Sequence, residues 1–459
     1  MKAFDTKQRG KRAIMALTLC ASIGALALTG CGAAAQPGTE AAEAAAVNQT
    51  AAAATAAEAT APTNTAEAMN TAAYTASAAA GGLLDGADMF SERDLTQTAD
   101  TSDAVTYTAA DGQDIRITEE GVYVLTGQAN EVTVYVEAED TAKVQLVLDG
   151  LHVTNTDFPC IYVRSADKVF VTAVGENSLA VTGTFAADGD TNTDGVIFSR
   201  DDLVLNGSGA LTVVSSENGV VSKDDLKVTG GSFVITAGAK ALEANDSIRV
   251  AGGTLELTAG TDGLHAENDE DDALGYVYIS GGSLTIRAGD DAIHAESAAQ
   301  IDGGSFDITA AEGIEATYVQ INDGVIGISA SDDGVNAARK SSAYSPTVEI
   351  TGGELTVVMG AGDTDGIDSN GDILVSGGVI DVTGRSAFDY DGAARYTGGT
   401  IIVNGQQVDA IPNQMRGGGM GGFPGNMGGG MRGGQNGMAG GKSGGMRGGM
   451  AGTGGANRM

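Results

Sequence analysis

GGSLTIRAGDDAIHAESAAQIDGG, residues 281–304, begins and ends on a glycine pair and carries one short alternating stretch, Ser283-Leu284-Thr285-Ile286-Arg287. Alternation of this kind marks a strand with one buried face, and Gly and Asp close it as corner residues. The pair recurs at Gly230-Gly231, Gly252-Gly253, Gly281-Gly282, Gly303-Gly304, Gly352-Gly353, Gly377-Gly378 and Gly398-Gly399, with 22 residues as the commonest step. Longer steps accommodate insertions at Asn268 to Leu274 and Ala337 to Ser345, and an extra unit around Asp323-Gly324. A period near 22 is too short for a propeller blade. Helical repeats would need a 3.6 pattern, and leucine-rich repeats a leucine and asparagine frame, neither of which is present. The expected fold is all-β, a right-handed parallel β-helix over residues 83–411.

In a parallel solenoid equivalent positions stack about 4.8 Å apart, so a residue type kept at one register becomes a ladder. Two columns follow from aligning the units. The first reads Asp194, Asn218, Lys240, Asp262, Asp291, Glu312, Asp333 and Asp365. The second, three residues on, reads Ile197, Val221, Glu243, His265, His294, Glu315, Asn336 and Asp368. Neighbouring carboxylates at that spacing repel by about 0.9 kcal/mol in water and about 3.5 kcal/mol at an effective dielectric of 20. Protonation, outward splaying or bound cations relieve this, and calcium suits hard oxygen ligands. Asp262, Asp291, Glu312, Asp333, Asp365 and Asp368 are the candidate metal ligands, joined by Glu267 and Asp269 from the acidic insertion after His265. Glu243, His265, His294, Glu315 and Asn336 are candidates for hydrogen bonding to sugar hydroxyls. The plainer alternative is that each Asp caps backbone N–H groups at its corner.

The two ends read differently. Lys2, Lys7, Arg9, Lys11 and Arg12 precede an apolar run from Ala13 to Leu28, and Leu28-Thr29-Gly30-Cys31 resembles a bacterial lipobox. Residues 1–30 are expected to be a signal peptide and Cys31 to carry lipid on the extracellular face of the membrane, the only membrane contact expected. Residues 31–82, rich in Ala and Thr, read as a disordered tether, and the Gly/Met-rich residues 412–459 as a disordered tail. With Cys20 removed and Cys31 acylated, Cys160 is the one cysteine left, so no disulfide within the chain is expected. Loss of residues 1–30 removes five basic and one acidic residue, moving the formal charge from −35 to −39. That charge argues against nucleic acid as a partner and leaves acidic polymers reachable only through divalent cations.

Val221-Ser222-Lys223-Asp224-Asp225-Leu226, Asp167-Lys168-Val169-Phe170-Val171 and the run DGLHAENDEDDALGYVYISGGSLTIRAGDDAIHAE (262–296) resemble the carbohydrate-binding, calcium-containing β-helix family, whose fold is like that of pectate lyases. The resemblance implies cellulose or acidic-sugar binding without lyase activity, and calcium at the Asp-Gly corners Asp262, Asp291, Asp333 and Asp365. Asp291 departs from the pattern, being followed by Ala292. Absence of Trp argues against an aromatic glucan platform, although Tyr276, Tyr278 and Tyr344 are available for stacking. Two alternatives stay open: a calcium-dependent polysaccharide lyase with Lys240 as base, and a structural stalk or adhesin without a specific ligand.

Overall fold

The structure, a computed structural model, describes residues 82–361 and 364–413. The signal-peptide, Cys31, tether and tail readings therefore lie outside the described residues, apart from the tether's last residue, Gly82, and the tail's first two, Pro412 and Asn413. From Val105 onward almost every strand is parallel to the strand one repeat away, which is the pattern of a β-solenoid. Each coil contributes to three faces. One carries Asp225–Val228, Ser247–Val250 and Tyr276–Ile279 in register. A second carries Ser232–Ala237, Thr254–Ala259 and Ser283–Ala288. The third carries Asn218–Ser222, Leu242–Ala244 and Leu264–Ala266.

The core is built from ladders of like residues. Ile197, Val220, Leu242, Leu264, Ile293, Ile314, Val335, Ile367 and Phe388 pair in that order and are fully buried. Each such side chain contributes about 1.5–3 kcal/mol. Cys160 belongs to the same interior, and burial pushes its thiol up to about 12. It is an inert core residue.

Two glycine columns explain the repeat by different physics. The second glycine of each pair has positive φ, from 77° at Gly353 to 107° at Gly304, and Gly324 shares this geometry at 111°, so the Asp323-Gly324 unit is a full coil. L side chains avoid that region. The glycine after each ladder Asp instead answers close packing: a Cβ on Gly334 would lie 2.4 Å from Gly366 O, and one on Gly263 2.5 Å from Ala292 O. Ala241, Ala292 and Ala387 fill equivalent positions, so Asp291-Ala292 continues the column.

Residues 83–104 add no coil. Residues 83–97 form a strap that runs along the first face from coil to coil. Leu83 N–H donates to Gln320 Oε1 (2.6 Å) and Leu84 N–H to Gln300 Oε1 (2.6 Å), Phe90 packs on Tyr278, and Arg93 lies over Phe170. Gln320, Gln300, Tyr278, Arg249, Lys227, Val204 and Phe170 are successive rungs of one column. Asp94, fully buried, meets Lys168 at 3.2 Å and Lys227 at 3.5 Å, tying together rungs from different coils. At the other end Gln406–Val408 turns back antiparallel on Thr400–Val403 through Asn404 and Gly405, both with positive φ, and closes the final edge.

Candidate functional site

The third face carries the predicted ladders. In the second column Val221, Glu243, His265, His294, Glu315, Asn336 and Asp368 are partners in sequence, and Asp389 extends it. One assignment fails: Phe198, not Ile197, stands beside Val221, because Ile197 points into the core as partner of Val220. Above Phe198 the column continues through Tyr162 and Tyr135, an aromatic stack that the sequence reading passed over. Asn218, Lys240, Asp262, Asp291, Glu312, Asp333 and Asp365 form the first column, linked by backbone bonds between successive coils; Asp194 falls out of it by the same one-residue slip, because Gly195 is the register partner of Asn218.

Corner capping and charge coexist. Asp262 Oδ1 accepts from Asp291 N (3.2 Å), Asp333 Oδ1 from Asp365 N (3.0 Å), and Asn218 Oδ1 from Lys240 N (3.0 Å). One oxygen of Asp262 and of Asp333 is thus spent on the next coil, and the second oxygen of Asp262 meets His265.

The ladder then divides. In its upper half Glu243, Asp262, Asp291 and Glu315 each have a basic partner. Glu243 meets Lys223 at 2.9 Å, Lys240 at 3.6 Å and Asn218 Nδ2 at 2.8 Å. Burial works against its charge, but the two lysines hold its carboxyl below the usual range. His265 Nδ1 lies 2.8 Å from Asp262 and its Nε2 3.0 Å from Glu267. Asp262 is likewise pulled down by His265 against the upward push of burial. His294 Nδ1 lies 2.7 Å from Asp291 and 3.2 Å from Glu315, which also holds Lys340 Nζ at 2.7 Å. Burial alone would depress His294, yet Asp291 and Glu315 raise it to about 9. Glu315 falls well below its ordinary value, while burial and the Glu315 and Asp262 charges leave Asp291 raised. The residues expected to face sugar hydroxyls are thus largely buried and bonded to one another.

In the lower half, among the described residues, no Lys, Arg or His pairs with Glu312, Asp333, Asp365, Asp368 or Asp389; Glu312 has only an amide, its Oε2 accepting from Asn336 Nδ2 (3.0 Å). Burial, then neighbouring carboxylates, raise Glu312 to about 8, Asp368 to about 7 and Asp333 to about 6. Asn336 Oδ1, Thr364 Oγ1 and Asp389 Oδ1 are buried on these rungs without a hydrogen-bond partner.

Glu267 and Asp269 sit off the ladder, at the rim of a cavity of about 550 Å³ shared with Lys223, Lys240, Glu243 and His265. Tyr278 is covered by Phe90, Tyr276 packs near Met89 and Arg249, and Tyr344 packs edge-on against Tyr318. Lys223 and Lys340 escaped the sequence reading. Lys223 stands two residues beyond the ladder, as Glu267 does after His265. Lys340 sits inside the second insertion.

A curated relative named carbohydrate-binding domain-containing protein, from Acetivibrio thermocellus, is 34% identical over 130 residues, 27% of this chain and 46% of that relative, so the chain spans about half of its length. A solved structure of a polysaccharide lyase-like protein from C. thermocellum, a gadolinium derivative, is 31% identical with a TM-score of 0.44, covering 49% of this chain and 96% of that one. The family model described as carbohydrate-binding domain-containing protein matches residues 111–364, more than half of the chain. The protein belongs to the carbohydrate-binding domain-containing family.

Proposed function

We propose that this protein is a lipid-anchored surface protein of the bacterial envelope whose right-handed parallel β-helix binds an acidic polysaccharide through calcium, without cleaving it. The observation that carries the reading is the split ladder: acids paired with Lys or His down to Glu315, then a half-buried run of carboxylates without a cationic partner and with three unpartnered oxygens on its rungs. That donor set fits a hard cation and offers no nitrogen or sulfur. Glu312, Asp333, Asp365, Asp368 and Asp389, with Asn336 Oδ1, would hold calcium. Bound there, calcium supplies the positive charge that a uronate carboxylate needs to approach so acidic a chain. Lys223 and Lys240, partly exposed at the cavity, offer the same polymer direct cationic contacts. Lys240 is engaged with Glu243, which favours charge relief over proton abstraction. Anchoring rests on the basic start, apolar run and Cys31 of the sequence.

Calorimetric titration of calcium into Asp368→Asn is expected to lose one binding step seen in the unaltered chain, with polygalacturonate affinity falling alongside it. Identical calcium isotherms would reject the assignment of these rungs.

A further inference from the structure

We propose that Asp291, His294 and Glu315 form a second metal site, for a borderline divalent ion of the zinc or cobalt class. It is distinct from the oxygen-only run below it. The three side chains present one donor atom each, all within 4.8 Å of one another. His294 Nδ1 stands 2.7 Å from Asp291 Oδ2 and 3.2 Å from Glu315 Oε2. A tetrahedral ion with bonds of about 2.1 Å needs donors roughly 3.4 Å apart, so only small side-chain adjustments separate this arrangement from a coordination sphere.

The donors are fixed by the fold. Asp291 and His294 lie on one strand, Glu315 is the register partner of His294 on the next, and Asp291 and Glu315 are 5% and 8% exposed. Imidazole nitrogen selects this class of ion over calcium. A second imidazole braces the first: His265 stacks on His294 with ring centroids 4.6 Å apart and planes 16° apart, and repeats its relation to an acid three residues earlier. The stack restricts rotation of the His294 ring.

Lys340 is the resident competitor. Its Nζ sits 2.7 Å from the same Glu315 oxygen that lies nearest His294, and its side chain is 29% exposed, free to withdraw toward solvent. The ion would displace the lysine and the imidazole proton together.

The test uses the full chain saturated with calcium. Zinc is expected to raise the melting temperature further, and cobalt to give visible ligand-field bands at one ion per site. His294→Gln should lose both responses. Asp368→Asn should keep them, which separates this site from the calcium reading. Lys340→Ala should bind zinc more tightly, by roughly fivefold at most for so exposed an ion pair, and serves as the test if His294→Gln does not fold. Absent cobalt bands and zinc response, unchanged zinc affinity in a folded His294→Gln, or weaker binding in Lys340→Ala would each overturn the proposal.

Discussion

Replacing Asp94 by Ala is expected to cost about 3 kcal/mol, the low end for breaking a buried ion pair. Burial alone would raise the Asp94 carboxyl, yet the Ser91 N–H and the Lys227 and Lys168 charges hold it below its ordinary range. Without Asp94, Lys227 keeps only Asp225 at 3.8 Å and Lys168 only Asp202 at 3.3 Å. Lys227 is already depressed by burial and by Arg249 and Lys168. The strap loses its central attachment, so hydrogen exchange should rise over residues 83–97 while the third face stays protected. Adding Lys227→Met should recover part of the loss, since the orphaned cation goes. An unchanged melting temperature in Asp94→Ala would show that the strap contributes nothing to stability.

In chelator, stability should fall steadily from about pH 5 to pH 8. Glu312, Asp333 and Asp368 have folded values raised to about 8, 6 and 7, above the unfolded values near 4. The native state therefore holds protons in that window that the unfolded chain has released, and linkage makes stability decline as pH rises. His294, raised to about 9, adds to the decline, because its contribution is complete below about 6.5 and is lost through 9. Glu315 acts oppositely, contributing above about 4.3 and losing its share toward pH 2. For any one of these groups, a tenfold difference in proton affinity between the folded and unfolded chain is worth about 1.4 kcal/mol. Calcium takes the place of the protons on the lower rungs, so melting curves at saturating calcium should flatten between pH 5 and 8. Parallel pH profiles with and without calcium would contradict this.

The repeat was legible because its glycines answer two constraints: positive φ in each pair, which L side chains avoid, and close coil-to-coil contact after the ladder residue, which admits only Gly or Ala. The columns were legible because parallel register turns spacing directly into stacking. The phase slipped at Ile197 because Phe198, Tyr162 and Tyr135 have core-like composition while standing on the outward column. Lys223 and Lys340 were missed because an edge position and an insertion carry no period. The strap was invisible for a related reason: Gln97 and Thr229 are 132 positions apart, and nothing in residues 83–98 repeats. The distinction between partnered and unpartnered acids lies partly in those unperiodic contacts and partly in pairings within the columns, such as His265 with Asp262, that spacing alone does not reveal, so the sequence places calcium as readily at Asp262 as at Asp368, whereas His265 occupies Asp262.

The central claim is that calcium on the third face joins this acidic chain to an acidic polysaccharide. Its most direct test is the affinity for polygalacturonate at pH 8 and constant ionic strength, measured in calcium, after EDTA, and after calcium is restored. Binding that disappears with EDTA and returns with calcium is the predicted result; the same affinity under all three conditions would contradict it.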